Sequence, residues 1–159
     1  MDRILTIGVY GWSPERWITA LRNAGCDLVV DIRARRGVRG REHAFANSTR
    51  LQALLHDADL PYVHLPSLAP SRATRDTQVA ADALARRTKR DRSSLSEAFA
   101  DAYRLQVVDQ VDWAAILRTL NGTAPALLCV ERLPTACHRS IVASELGRLE
   151  HVRVEDLVP

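Results

Sequence analysis

APALLCVERLPTACHRSIVASELGRL, residues 124–149, holds three local signals in one span. Ala126 to Val130 is a short apolar run of strand length. Residues 131–136 interrupt it with charge and with Pro134, and Cys137 to Leu149 reads as a helix. A buried strand, a loop and a helix in that order form the unit from which parallel α/β sheets are built.

The same unit recurs on either side. Ile4 to Gly8 is a short buried strand ending in glycine. Ser13-Pro14-Glu15 then offers an N-cap, a proline at the first helical position and an acid in the first turn. That helix carries Trp17, Ile18 and Leu21 and stops near Gly25. Asp27 to Ile32 is a second strand, and Asn47 caps a second helix bearing Leu51, Leu54 and Leu55. Tyr62 to Leu65 is a third strand. Residues 76–121 are helical by pattern, with Ser94 and Glu97 spaced as a capping box and Asn121-Gly122 as a stop. Val152 to Val154 closes the sheet. The expectation is one domain over residues 1–159: a three-layer α/β sandwich with a mainly parallel sheet of about five strands and a helical insertion at about 76–121.

At 159 residues, 47% of them hydrophobic, the chain can bury a core without disulfide or metal and is too apolar for global disorder. No apolar run approaches the ~20 residues of a membrane span, and the start of the chain lacks signal-peptide features. Cys26, Cys129 and Cys137 are an odd count without a secretory signal, which points to a reducing cytoplasm. The net charge is +3. Lys89 is the single lysine; arginine supplies the rest of the 22 basic groups. Genomic codon usage explains that bias, and so does arginine's fit to phosphate and carboxylate forks. Stretches 33–50 and 72–92 hold 13 of the 22 basic groups, and would form one positive surface if the fold joins them.

Ligands of open parallel sheets bind beyond the carboxyl ends of the strands. Those ends carry Gly8 to Trp12, Asp31-Ile32-Arg33, Cys129-Val130-Glu131 and the start of the last helix at Cys137-His138-Arg139. Cys129-x-Glu131-x-x-Pro134-x-x-Cys137-His138-Arg139 resembles the signature of a bacterial and archaeal family called domain of unknown function 488. Thr6-Ile7-Gly8-x-x-Gly11-x-Ser13-x-Glu15 resembles that family's opening, and Val30-Asp31-Ile32-Arg33 its second-strand motif. Phe45, Tyr62-Val63-His64-Leu65-Pro66 and Phe99-x-x-x-Tyr103 follow in family order. The chain departs at Ser67-Leu68-Ala69-Pro70, where the family commonly has Leu-Gly, and at Ala34-Arg35-Arg36-Gly37, where it often has Pro-Ser. The resemblance implies the architecture and a site at the strand ends. It implies no reaction.

The favoured chemistry for these residues is an anion or phosphate site. A helix start at Cys137-His138-Arg139 presents free amides and partial positive charge. Arg139 and Arg33 could add forked contacts, Gly8 and Gly11 would admit backbone to the ligand, Cys129 would line the site, and Trp12 could stack a base. Equally, Arg139 could pair with Glu131 or Asp31 and tie the rim together, while Trp12 covers the end of the sheet. A sharper version makes Cys137 a nucleophile beside His138, with Glu131 and Asp31 as acid/base groups. No Cys-x5-Arg spacing supports it, since Arg132 and Arg139 are the next arginines after Cys129. Paired carboxylates also simply neutralise arginines. Zinc on Cys129, Glu131, Cys137 and His138 is a third option, although Cys-x7-Cys is looser than a structural pair. No cofactor and no metal residue is therefore assigned. His64 has two readings, a rim residue or a histidine satisfied in the fold; His43, His56 and His151 carry no signal, and Cys26 reads as packing. Three function classes follow: an enzyme or binder of a nucleotide, nucleic acid or other phosphorylated substrate; a non-catalytic nucleic-acid module using the arginine stretches; and a small interaction or regulatory domain. Oligomeric state stays open.

Overall fold

The computed structural model describes residues 1–88 and 91–159; Lys89 and Arg90, from the second arginine-rich stretch, lie outside the described residues. Five strands, β1 (Arg3–Ile7), β2 (Leu28–Asp31), β3 (Tyr62–His64), β4 (Pro125–Leu128) and β5 (Arg153–Leu157), form one sheet in the order β3-β2-β4-β1-β5. Every pairing is parallel. The three inner strands are buried on both faces, which is why they read as continuous apolar runs.

Side-chain alternation divides the core between the two faces. Leu5, Ile7, Val29, Ala126 and Leu128 pack with α1 (Pro14–Asn23) and α2 (Ser48–His56). Ile4, Val30, Ile32, Leu127 and Cys129 pack with α4 (Glu97–Tyr103), α5 (Trp113–Thr119) and α6 (Arg139–Glu150). The result is the three-layer α/β sandwich. Strands β1 and β2 leave toward the α1/α2 face, and β4, which lies between them, leaves toward α6. Connections therefore diverge around β4, where an open parallel sheet forms its crevice. No helix of the described residues is long and apolar enough to cross a membrane.

Four local expectations change. The stretch 76–121 is not continuously helical: α3 spans Arg72–Leu84 and the chain is irregular until Glu97. Ser96, not Ser94, caps α4, accepting from the Phe99 amide. Its own amide donates to Oε1 of buried Gln78, which takes the place of a capping-box glutamate. Residues 93–95 are held outside the helix because Thr135 donates to the Ser93 carbonyl and the Leu95 amide to the Thr135 carbonyl. The last helix begins at Arg139 rather than Cys137. Pro134–Ala136 forms a 3-10 turn closed by the Cys137 amide, and Cys137 itself is extended. The closing strand runs on through Glu155 and Asp156; at the sheet edge Glu155 is half-buried and Asp156 exposed, so no apolar pattern announces them.

Candidate functional site

A cleft of about 270 Å³ opens at the carboxyl ends of β1 and β4. Tyr10 and Gly11 line it from the loop after β1, and Glu131, Arg132 and Leu133 from the loop after β4. His43 reaches it from the first arginine-rich stretch, Asp91 and Arg92 from the end of the second, and Ser93 follows directly. Two stretches far apart in sequence thus meet at one crevice. The turn needs Gly11: its φ is +89°, and a Cβ there would lie 2.7 Å from Pro159 Cγ.

Arg92 is the most constrained charge in the cleft. Its side chain is 9% exposed, with Nη1 2.9 Å from Asp82 Oδ2 and Nη2 3.5 Å from Glu131 Oε1. Nη2 also donates to the Ala136 carbonyl. Its Nε, though buried, has no hydrogen-bond partner among the described residues, and neither does His43 Nδ1. The Tyr10 and His43 rings lie 4.7 Å apart, tilted by 48°. Arg132 is exposed.

The residues singled out from the sequence lie mostly beneath this cleft. Arg33 is buried and grips buried Asp31: Nε donates to Oδ1 at 2.8 Å and Nη2 to Oδ2 at 2.7 Å. Its Nη1 donates to the Ala46 carbonyl. Asp31 also accepts from the Arg33 amide and the Tyr62 hydroxyl, so both its oxygens are engaged twice. Burial raises the Tyr62 phenol, and Arg36 opposes it. Arg139 is fully buried. It donates to the carbonyls of Glu131 at 2.6 Å and Arg132 at 3.1 Å, and to Thr6 Oγ1 at 3.3 Å. Gly8 is needed for packing: a Cβ would stand 2.0 Å from the Glu131 carbonyl oxygen, because the Val9 and Tyr10 amides donate to the Val130 carbonyl close by. The start of α6 is closed too, since the Ser140 and Ile141 amides donate to the carbonyls of Cys137 and His138.

Cys129, Cys137 and His138 do come together, all buried. His138 Nδ1 lies 3.7 Å from Cys129 Sγ and 3.9 Å from Cys137 Sγ, and its Nε2 is 3.2 Å from the Ile32 carbonyl oxygen. The two thiols diverge in acidity. Donation to Cys137, together with burial, raises the Cys129 thiol well above its ordinary value. Burial acts to raise Cys137 as well, but the Cys129 hydrogen bond, His138 and Arg139 outweigh it and lower that thiol. Elsewhere, burial pushes Cys26 up to about 11.

Trp12 packs against the α1-side core with the Arg16 guanidinium 5.7 Å from its ring centroid. His64 Nε2 meets the Arg33 carbonyl at 2.9 Å. Sequence reasoning reached Gly11 and Glu131 but passed over Tyr10, His43, Arg92 and Arg132. The only sequence signal for Arg92 is its place in a basic stretch, and His43 has none.

A parallel sheet with its cleft at the point where connections diverge makes this a doubly wound α/β protein. The chain belongs to the family described as Domain of unknown function DUF488, whose model matches residues 13–146. No curated protein and no solved structure matches the chain.

Proposed function

We propose that the protein binds a compact phosphate-bearing ligand in the cleft between the loops after β1 and β4. The observation that carries the reading is Arg92: a guanidinium lining the crevice, nine-tenths buried, with Nε unspent among the described residues. A buried donor without a partner is costly, and an anionic oxygen satisfies it with a charge-assisted hydrogen bond. Arg132 supplies a second, accessible guanidinium, and His43 Nδ1 a further buried polar atom. The volume is small for a dinucleotide and suits a mononucleotide fragment or a smaller phosphate ester. Arg33 and Arg139 support the rim from below rather than reach for the ligand.

The test is calorimetric titration of the full chain with pyrophosphate, a nucleoside monophosphate and a short single-stranded oligonucleotide. Binding of a small probe is expected, and Arg132→Ala should weaken it about 10- to 100-fold, the effect of losing a hydrogen bond to a charged group, with unfolding unchanged. Absence of binding by both small probes, or equal binding by Arg132→Ala and His43→Ala, overturns the reading. Oligonucleotide binding alone, falling steeply with salt, replaces it with a nucleic-acid surface.

A further inference from the structure

Beneath the cleft, Cys129, Cys137 and His138 place two sulfurs and one ring nitrogen within 4.8 Å of one another, all in buried side chains. The ring orientation is fixed. Nε2 faces the Ile32 carbonyl oxygen at 3.2 Å, and a carbonyl only accepts. Nε2 donates to it, and the neutral ring then turns its Nδ1 lone pair toward both sulfurs. A backbone carbonyl holding the far nitrogen is the common outer support of a metal-bound histidine. The Tyr103 ring packs on the imidazole at 5.3 Å and stops it from turning.

The sulfur–nitrogen distances agree with a shared ion. Zinc with its usual bond lengths to sulfur and imidazole nitrogen, arranged tetrahedrally, sets each sulfur about 3.6 Å from the nitrogen. The two separations are 3.7 and 3.9 Å. We propose that Cys129, Cys137 and His138 form a three-donor site for a zinc(II) ion. Both cysteines bind as thiolates, their protons passing to solvent, and His138 binds neutral. Two thiolates cancel the charge of the ion, so the filled site adds no net charge to the interior. No fourth His, Cys, Asp or Glu joins the group among the described residues, which leaves the fourth position to solvent or to an exogenous ligand. A Cys-x7-Cys spacing works here because the 3-10 turn at Pro134–Ala136 folds Cys137 back under β4 and His138 follows directly. The loop between the two cysteines forms one wall of the cleft, so the ion would clamp that wall. The inference does not depend on what the cleft binds.

The test is native mass spectrometry and elemental analysis of the full reduced chain, stripped of metal and then given zinc. One zinc per chain is expected, lost in Cys129→Ser and Cys137→Ser and kept in Cys26→Ser, whose thiol lies elsewhere in the core. Cobalt(II) titration of the unaltered protein is the second measurement, and it stands whether or not the variants fold. A thiolate-to-cobalt charge-transfer band saturating at one equivalent is expected. A bare mass with no cobalt band overturns the proposal. So does zinc retained by a folded Cys137→Ser protein, or uptake of copper(I) with zinc refused.

Discussion

Gly8→Ala is the sharpest probe of how the strand ends are held. The new methyl would sit 2.0 Å from the Glu131 carbonyl oxygen and 2.9 Å from its carbon, where real contacts do not fall below 3.0 Å. That oxygen must retreat by about 1 Å or more. It is also the 2.6 Å acceptor of the buried Arg139 Nη1. Overfilling a packed site costs about 1–3 kcal/mol. Breaking a hydrogen bond to a buried charged group costs about 1.5–3 kcal/mol. Alanine restricts the unfolded chain and returns about 0.4–1 kcal/mol. The net loss is about 2–5 kcal/mol, a large part of the 5–15 kcal/mol typical of a domain. At about 2–4 °C per kcal/mol for a chain of this size, the melting temperature should fall by roughly 5–20 °C. Urea unfolding followed by tryptophan fluorescence measures the loss directly. Gly37→Ala is the control: nothing lies within 4 Å of its added carbon, and a change inside about 0.5 kcal/mol is expected. If Gly8→Ala unfolds with the control, the close approach of the β1 and β4 loops is not what Gly8 is for.

Two further outcomes follow from the buried charges. Arg33→Ala should cost about 3–5 kcal/mol by leaving Asp31 buried without its cation, and Asp31→Ala, Arg33→Ala together should recover part of it; additive losses in that cycle would mean that the pair does not interact as described. Asp27 governs a pH effect. Burial acts to raise its carboxyl, but the Thr123 amide and hydroxyl and the Ala124 amide outweigh burial and hold it below the ordinary value. The stability it confers is present above about pH 3.9, the unfolded value, and is lost as pH falls through the lower folded value. Asp27→Asn should therefore be less stable than the parent at neutral pH and approach it below pH 4; a gap that persists in acid would refute the assignment.

The layers and the order of elements were legible because buried parallel strands advertise themselves as apolar runs such as Val29-Val30 and Leu127-Leu128. Boundaries failed where long-range hydrogen bonds replaced local ones. Ser94 satisfies a local capping rule, yet Gln78, from a different helix, takes the amide of Ser96. No window around residue 96 contains that information. The cleft was partly legible for the same reason. Strand ends can be found from strands, so Gly11 and Glu131 were reachable. Arg92 arrives from an irregular segment whose position is fixed by ion pairs to Asp82 and Glu131, and His43 from a 3-10 turn, Arg41–Ala46. Arginines that look available in a motif can also be spent: Arg33 and Arg139 are the two whose neighbours most resemble an anion site and the two most completely engaged.

That last point changes how the Cys129–Arg139 motif should be read. Its residues work on opposite sides of one loop. Cys129, Cys137, His138 and Arg139 turn into the interior, on the side of the sheet that α6 covers. Glu131, Arg132 and Leu133 line the cleft. Glu131 joins the two sides, because its carbonyl accepts from Arg139 in the core while its carboxylate meets Arg92 at the crevice. A ligand that draws on Arg92 therefore pulls on a residue whose backbone is bonded to Arg139 and Gly8's neighbourhood. Side-chain changes at Arg132 should alter binding with little effect on unfolding, and changes at Arg139 should do the reverse. Glu131→Gln should lower stability and alter binding together, since it removes one of the two carboxylates that balance buried Arg92, while the carbonyl that holds Arg139 stays in place. Spacing along the chain treats these eleven residues as one signature. Their facing separates them into a support and a surface, and it is the surface that a ligand would read.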